Sequence, residues 1–285
     1  MIRTTLIRTR SLGDVVLAAA FTRAAGPTCF VTHRRYHGLV ARFPGVVEVR
    51  APDAPLPAAA RTVDLQVNLR TLRLHVDARA ARQDLRRSLR AWHLGAPADP
   101  VLQRWARAIG VPPDPLPWLA PARRGEALVL VPGASVATKR WPHAAALAAA
   151  WDGPVRVLGG PGEESLVRAV AGAARHGEAV CEEGFDRTFD ALEGAAVMVA
   201  GDTGLLHLGA AVGLPVVGLF GPTHPDDGYV SYADGVRQRM LGVSLDCRPC
   251  SRHGAAACGR GDHACLATLP VETVLAAARA AAALP

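Results

Sequence analysis

The sequence predicts an α/β protein with two domains, each built on a parallel sheet with helices on both faces. The chain of 285 residues has the length expected for two such domains. Short apolar runs that end in glycine, proline or polar residues alternate with helical stretches, which is typical of strand–helix–strand units. Prolines concentrated in residues 111–121 interrupt this alternation and predict a linker. We therefore expect one domain at residues 1–120 and a second at residues 121–285.

The composition fits a globular protein with an aliphatic core, because half of the residues are hydrophobic and only 5% are aromatic. No stretch approaches the roughly 20 apolar residues that span a bilayer. The first residues lack the apolar region of a signal peptide, so we expect a cytoplasmic protein. The formal net charge of +7 favours an anionic partner, which could be nucleic acid, a phosphorylated substrate or a membrane surface.

Strands and helices alternate in the first half of the sequence. Apolar residues at every second position, or in short unbroken runs, indicate the strands. Residues 72–93 are rich in arginine and carry regularly spaced leucines. This stretch is interpreted either as a helix with a solvated basic face or as a patch that faces a phosphorylated acceptor. The predicted strands are 4–8, 28–32, 46–49 and 63–69, and the predicted helices are 13–25 and 36–43.

The second half repeats the pattern with four apolar runs, each followed by a loop of glycine, proline and polar residues. A final alanine-rich helix is predicted over residues 271–284. Ligands of parallel sheets bind at the carboxyl ends of the strands, so these loops are the candidate binding site. The predicted strands are 127–131, 155–158, 195–200 and 216–220.

The loop at residues 202–207 is the first candidate. It follows an apolar strand and opens a helix, where free N–H groups and the helix dipole favour a phosphate. Gly204 allows close approach of the backbone, Thr203 offers a hydroxyl, and His207 lies one turn further on the same helix face. The alternative is that Asp202 simply caps the helix.

Two further loops carry polar groups. Residues 132–142 offer the hydroxyls of Ser135 and Thr138 and the cation of Lys139, which suits a diphosphate; the alternative is a solvated basic loop. Residues 11–14 follow the first strand, and Asp14 is interpreted either as a helix cap or as a general base. Neither this loop nor residues 159–162 has the G-x-G-x-x-G spacing, which disfavours a nicotinamide enzyme.

Four of the six cysteines cluster near the C-terminus with the spacing C-x2-C-x7-C-x6-C. This spacing is plausible for a structural zinc ion bound by Cys247, Cys250, Cys258 and Cys265. Free thiols, a disulfide formed on oxidation and an iron–sulfur cluster are the alternatives. The remaining two, Cys29 and Cys181, lie in strand-like contexts and are expected to be ordinary buried thiols.

Taken in order, these motifs resemble those of glycosyltransferase family 9, the ADP-heptose:lipopolysaccharide heptosyltransferases. Each motif alone is weak, but the ordered set spans nearly the whole chain. The resemblance implies a GT-B fold, in which two Rossmann-like domains with parallel sheets face each other across a cleft. Residues 1–120 would bind the acceptor and residues 121–285 the nucleotide sugar. The matching segments are 8–15, 133–135, 138–142, 201–208 and 220–223, with the cysteine tail at 247–265.

The resemblance implies an inverting transfer of a sugar, typically heptose, from an ADP-sugar to a lipopolysaccharide-core acceptor. Asp14 would be the catalytic base, and Lys139 would offset charge on the departing diphosphate. A cation and a helix terminus together can replace a divalent metal, so no catalytic cofactor is implied. The donor-binding residues implied are Ser135, Thr138, Asp202, Thr203, Gly204, Leu205 and His207, and the acceptor-binding residues are Ser11 and Gly13. For His207, support of the helix from a buried position is an equal alternative.

The N-terminal half, of about 120 residues, looks compact for the family, which leaves the acceptor and the heptose itself open. The main alternative is a glycosyltransferase that uses another nucleotide sugar and acceptor. A second alternative is a non-catalytic basic protein that binds metal or nucleic acid. The basic stretch lacks interleaved aromatics and the cysteines lack a zinc-finger pattern, so we expect no nucleic-acid partner. The expected partners are a nucleotide-sugar donor and an anionic glycolipid acceptor, with peripheral contact to the inner membrane.

Overall fold

The computed structural model describes residues 1–66, 100–181, 184–225 and 237–284. The described residues form two compact units, which divide between Ala120 and Pro121. The arginine-rich stretch at 72–93 and the end of the predicted strand 63–69 lie outside the described residues. Within the described ranges, no helix is long and apolar enough to cross a membrane.

The first unit contains a four-stranded, fully parallel sheet in the order β3-β2-β1-β4. Its central strand β1 is buried at all four positions and pairs with β2 on one side and β4 on the other. The loop that follows β1 therefore starts in the middle of the sheet edge. The strands are β1 (Thr4–Ile7), β2 (Thr28–Val31), β3 (Val46–Arg50) and β4 (Arg61–Asp64), and the helices are α1 (Leu12–Leu17), α2 (Ala19–Thr22), α3 (His37–Val40) and α4 (Val101–Ile109).

The predicted strands 4–8, 28–32 and 46–49 are confirmed, and the predicted helix 13–25 is confirmed as the pair α1 and α2, which ends at Thr22. The predicted strand 63–69 is confirmed only at residues 63 and 64, because β4 ends at Asp64 and residues 65 and 66 form a bend. Helix α4 was not predicted. Its buried residues Val101, Leu102, Trp105 and Ile109 are spaced as one helical face, so the signal was present in the sequence.

The second unit contains a six-stranded parallel sheet in the order β10-β9-β8-β5-β6-β7. Strand β8 is buried at all seven positions and pairs with β5 and β9, so the loops after these three strands are neighbours. The strands are β5 (Arg124–Val131), β6 (Val155–Gly159), β7 (Gly177–Cys181), β8 (Ala195–Gly201), β9 (Val216–Leu219) and β10 (Gln238–Leu241). The helices are α5 (Ala144–Ala150), α6 (Glu164–Ala173), α7 (Asp186–Leu192), α8 (Gly204–Ala211), α9 (Ala264–Ala267) and α10 (Val271–Ala282).

All four strands predicted for this half are confirmed, but β7 and β10 were missed. Both are edge strands and both are largely accessible to solvent, so neither needs an unbroken apolar run. Sequence patterns detect buried central strands more readily for this reason.

The C-terminal segment belongs to the core of the second unit. Helix α10 buries one face in the same hydrophobic cluster as residues of β5, β8 and α5. The segment before it is fixed as well, since the indole Nε1 of Trp141 donates a hydrogen bond of 3.1 Å to the carbonyl of Leu269. The chain that carries the four clustered cysteines is thus held at its far end by the core.

Candidate functional site

Asp14 lies in the first turn of α1, directly after β1. The helix begins at Leu12 with Ser11 as its N-cap residue, so the interpretation of Asp14 as the helix cap is wrong. Its Oδ2 instead accepts a hydrogen bond from the guanidinium of Arg8. The Asp14 side chain is only 13% exposed. A carboxylate at the edge of the sheet is therefore held by a single cation.

The sequence reasoning did not assign a role to Arg8, and the structure fixes this residue from several sides. Its Nη1 donates to the carbonyl of Leu65 at 3.2 Å, and its Cζ lies 5.9 Å from the ring centroid of Trp105. An arginine held in this way can present its other nitrogen to Asp14 in one orientation. Oδ2 of Asp14 accepts the hydrogen bond from Arg8, and Oδ1 has no hydrogen bond among the described residues.

Ser11 and Gly13, the predicted acceptor contacts, form the turn from β1 into α1. Ser11 adopts a φ of 65°, which residues other than glycine rarely adopt. Its side chain is exposed, and Gly13 is half-buried. The turn therefore leaves polar groups next to Asp14 accessible, and their role as acceptor contacts stays a prediction.

Tyr36 is a further polar group near Asp14 that the sequence did not single out. It is buried, and burial raises the pKa of its phenol above the ordinary value; the charge of Asp14 adds to this rise, while the neighbouring Arg35 opposes it. The Cζ of Arg35 lies 4.6 Å from the centre of the Tyr36 ring. The phenol therefore stays protonated at neutral pH.

In the second unit, Lys139 and Asp202 form an ion pair between the loops after β5 and β8. The Nζ of Lys139 lies 2.7 Å from Oδ2 of Asp202 and donates to the Asp202 carbonyl at 3.2 Å. Both side chains are mostly buried, at 12% and 15% exposure. Helix α8 has Thr203 as its N-cap residue, so the interpretation of Asp202 as the helix cap is wrong.

Lys139 is the only lysine in the sequence. The other 31 of the 32 lysine and arginine residues are arginine. An ammonium group is a compact point charge with three rotatable donors, whereas a guanidinium is planar and larger. A chain that uses arginine at every other basic position keeps an ammonium where the loops after β5 and β8 meet.

The N-terminus of α8 lies beside this ion pair. The Oγ1 of Thr203 is buried and has no hydrogen-bond partner in the part of the chain that the structure describes. The first N–H groups of a helix lack intrahelical acceptors. Gly204 and Leu205 are partly exposed at this end. The lysine, the unpaired hydroxyl and the N–H groups together suit an anion.

The remaining residues predicted to contact the donor differ in their exposure to solvent and in their hydrogen bonds. Ser135 is exposed, with no hydrogen bond among the described residues. The hydroxyl of Thr138 instead donates to the carbonyl of Ala255 at 2.6 Å, so its proton is already used. His207 is buried within α8 at 4% exposure. Their contacts with a donor stay predictions.

Glu163, which the sequence reasoning missed, also lies at this edge of the sheet. It follows β6, and its Oε2 accepts a hydrogen bond of 2.9 Å from the N–H of Gly160. Its carboxylate fills the space beside Gly133, where a Cβ would come within 2.2 Å of it. No motif in the sequence marks this glutamate, because its position depends on the packing of two neighbouring loops.

The four tail cysteines are free thiols in the described conformation. Across the described ranges, no three His, Cys, Asp or Glu side chains are arranged to hold a metal ion. Cys250 and Cys258 nevertheless lie close enough to Cys265 to influence its pKa, which burial raises. The zinc ion expected on Cys247, Cys250, Cys258 and Cys265 therefore stays an untested prediction.

Removal of Arg8 tests whether its ion pair supports the first unit. In Arg8→Ala the mostly buried carboxylate of Asp14 loses its charged partner. We expect the free energy of unfolding to fall by roughly 1.5–3 kcal/mol, the usual contribution of a hydrogen bond to a charged group. Urea denaturation followed by circular dichroism measures this loss.

The matched control is Arg34→Ala. Arg34 forms an ion pair of 2.8 Å with Asp53 in the same unit, but its side chain and that of Asp53 are 70% and 71% exposed. Exposed pairs contribute little, so the control should unfold almost as the unaltered protein does. Equal losses in the two variants would contradict a structural role for the Arg8–Asp14 pair.

Comparison with known proteins bears on the identity of this site. The model of the family "Glycosyltransferase family 9 (heptosyltransferase)" matches residues 113–257. The lipopolysaccharide heptosyltransferase 1 of Pseudomonas aeruginosa is 49% identical over 59 residues. That match covers 21% of this chain and 16% of the length of the Pseudomonas protein.

Solved structures resemble the chain over nearly its full length. A glycosyl transferase of family 9 from Veillonella parvula has a TM-score of 0.71 at 17% identity and covers 99% of this chain and 97% of its own. The E. coli heptosyltransferase WaaC with ADP has a TM-score of 0.63 at 20% identity and covers 99% of this chain and 100% of its own. At these identities the likeness concerns the fold, and it confirms the predicted α/β class of GT-B type with two parallel sheets. Since the family model matches just over half of the chain, the chain belongs to glycosyltransferase family 9, the heptosyltransferases.

Proposed function

We propose that this protein is an inverting glycosyltransferase that moves heptose from ADP-heptose to an anionic glycan acceptor of the lipopolysaccharide-core type. The observation that carries the proposal is the pairing of the only lysine with Asp202 beside the N-terminus of α8. The fold shared with the WaaC enzyme, whose structure contains ADP, supports an ADP-linked donor. The short match to a lipopolysaccharide heptosyltransferase supports the acceptor class.

The donor diphosphate would bind in the second unit. Its oxygens would accept hydrogen bonds from the Lys139 ammonium and from the backbone N–H groups of Thr203, Gly204 and Leu205. Asp202 would then share or release the ammonium, because its Oδ2 accepts a hydrogen bond from the same Nζ. As the bond between the sugar and the diphosphate breaks, charge grows on the leaving oxygen. Preorganised donors at such a position each typically lower the barrier by roughly 2.7–4 kcal/mol.

The acceptor would bind in the first unit. Its attacking hydroxyl would give its proton to Asp14 as the oxygen forms a bond to the anomeric carbon and ADP departs from the opposite face, which inverts the configuration. Arg8 engages Oδ2 of Asp14, so Oδ1 would take the proton. The exposed guanidinium groups of Arg10 and Arg35 have no carboxylate partner among the described residues and could pair with acids of the acceptor.

The net charge of +7 would also favour an anionic membrane surface, where a glycolipid acceptor is presented. We propose that the protein makes peripheral contact of this kind with the cytoplasmic face of the inner membrane. Sedimentation with vesicles of anionic and of neutral lipid measures it, and equal binding to both would contradict an electrostatic contact.

The variant Asp14→Asn tests the base. Loss of a general base typically lowers the rate about 10²–10⁴-fold, and we expect kcat to fall within this range. The affinity for ADP should not change, because Asp14 would contact the acceptor and not the donor. A radiometric or coupled assay of ADP release measures kcat.

Asp53→Asn is the matched control, since Asp53 is an exposed carboxylate of the same unit and also pairs with an arginine. It should keep full activity. A folded Asp14→Asn protein with undiminished transfer would show that another group takes the proton.

The variants Lys139→Met and Asp202→Asn test the donor site through ADP affinity alone. Loss of the ammonium removes a charge-assisted hydrogen bond, so we expect the Kd for ADP to rise about tenfold or more. Asp202→Asn should bind ADP at least as tightly as the unaltered protein, because it removes a negative charge that competes for the same ammonium. Isothermal titration calorimetry measures both values. Weaker ADP binding by Asp202→Asn would contradict this competition.

A structural zinc ion on the tail cysteines remains a proposal, and no step of the transfer depends on it. The C-x2-C spacing and the proximity of Cys250 and Cys258 to Cys265 support it, although the thiols would have to converge. We expect elemental analysis of protein purified under reducing conditions to find zinc in stoichiometric amount. The double variant Cys247→Ser/Cys250→Ser should lose it. Metal-free protein with four readily alkylated tail thiols would contradict the proposal.

A further inference from the structure

The tail that carries the cysteines packs directly against the donor loop after β5. Gly254 lies in the left-handed region, with a φ of +87°, and faces the side chain of Lys139. A Cβ built on Gly254 would lie 3.0 Å from Cε and 3.2 Å from Cγ of Lys139, and 2.6 Å from Cγ2 of Val136. Next to it, the carbonyl of Ala255 accepts the 2.6 Å hydrogen bond from Thr138. There is no room for a side chain at this point of the tail.

The same tail segment is fixed to a second loop, the one that follows β9. The N–H groups of Cys250 and Ser251 both donate to the carbonyl of Pro222, at 3.1 Å each. Arg248 donates to the carbonyl of Phe220 at 2.7 Å and to that of Thr223 at 3.2 Å. Its guanidinium also donates hydrogen bonds to the carbonyls of Gly221 and Val243.

The tail therefore spans two loops at the carboxyl ends of β5 and β9, between which β8 lies. Since it is anchored by several backbone hydrogen bonds on the β9 side, Gly254 cannot easily withdraw from Lys139. The lysine stem, which is otherwise flexible, is confined between the tail and its own loop. Its ammonium is thereby aimed at Asp202 and the N-terminus of α8.

We propose that Gly254 is a positioning residue for the donor site, and that the cysteine-rich tail acts through it to hold the Lys139 ammonium in place. This inference rests on the proposed role of Lys139 in binding the donor diphosphate. It assigns the tail a function in donor binding that does not depend on whether the cysteines hold a metal.

The variant Gly254→Ala tests the proposal against a matched control in the same tail, Gly261→Ala. Gly261 also has a left-handed φ, of +81°, but a Cβ there would meet nothing within 4 Å. Both variants therefore carry similar backbone strain, and only Gly254→Ala places a methyl group against Val136 and the Lys139 stem. We expect Gly254→Ala to raise the Kd for ADP about three- to tenfold by calorimetry, the effect of weakening one charge-assisted hydrogen bond. Gly261→Ala should bind ADP as the unaltered protein does.

A double-mutant cycle separates positioning from a general structural effect. In the Lys139→Met background, Gly254→Ala should add nothing, because the group through which it acts is gone. An undiminished effect in that background, or equal ADP affinities for Gly254→Ala and Gly261→Ala, would overturn the proposal. If Lys139→Met itself binds ADP as tightly as the unaltered protein, the donor role of Lys139 fails, and the inference about Gly254 fails with it.

A second variant covers the case in which Gly254→Ala does not fold. Thr138→Val removes the hydrogen bond to Ala255 and loosens the same contact without adding bulk. We expect a smaller rise in the Kd for ADP that again disappears in the Lys139→Met background. A rise that persists there would mean that Thr138 contacts the donor itself and that the tail does not act through Lys139.

Discussion

The ion pair between Lys139 and Asp202 ties together the loops after two neighbouring strands of the second sheet. The pair is mostly buried, and each charge would be costly there without the other. It therefore keeps an ammonium group beside the N-terminus of α8. An anion that enters this place finds a cation and free N–H groups already in position and needs only to compete with one carboxylate. The rest of the second unit, from the buried strand β8 to the tail against Lys139, supports this arrangement.

The first unit uses the same device with the charges reversed. There a carboxylate, Asp14, is held by an arginine that is itself fixed against a carbonyl and an indole ring. In both units a charged side chain follows a central strand of a parallel sheet, where the chain leaves the core. In both, a partner of opposite charge sets its orientation. A group oriented in this way loses less freedom when a ligand binds.

Much of this arrangement could be predicted from the sequence, because buried parallel strands are apolar runs and their carboxyl ends are marked by glycine and polar residues. Asp14, Lys139 and Asp202 follow such strand ends, and the sequence singled them out as candidates. The pairing of these groups was not predicted. Arg8 was not singled out as the partner of Asp14, and the contact between Lys139 and Asp202 depends on side-chain directions that no spacing encodes. The interpretation of both aspartates as helix caps failed for the same reason.

Features that depend on contacts between distant segments were also missed. Glu163 beside Gly133 and the tail beside Lys139 bring together residues 30 and 115 positions apart in the chain, counted as 163 − 133 and 254 − 139. The edge strands β7 and β10 were not predicted from the sequence, because partly exposed strands need no continuous apolar pattern. The sequence of the first unit does not identify an acceptor, because polar side chains in loops follow no periodic pattern.

The only lysine of the chain makes the central claim directly measurable. Reductive methylation with ¹³C-formaldehyde keeps the positive charge of the amine and labels only Lys139 and the N-terminal amine. Titration with ADP, followed by methyl NMR, then reports on Lys139 with the N-terminal signal as an internal reference. If the ammonium leaves Asp202 for the diphosphate, the Lys139 signal shifts on addition of ADP but not of adenosine, and the N-terminal signal stays in place. A Lys139 signal that does not move at saturating ADP would contradict the account.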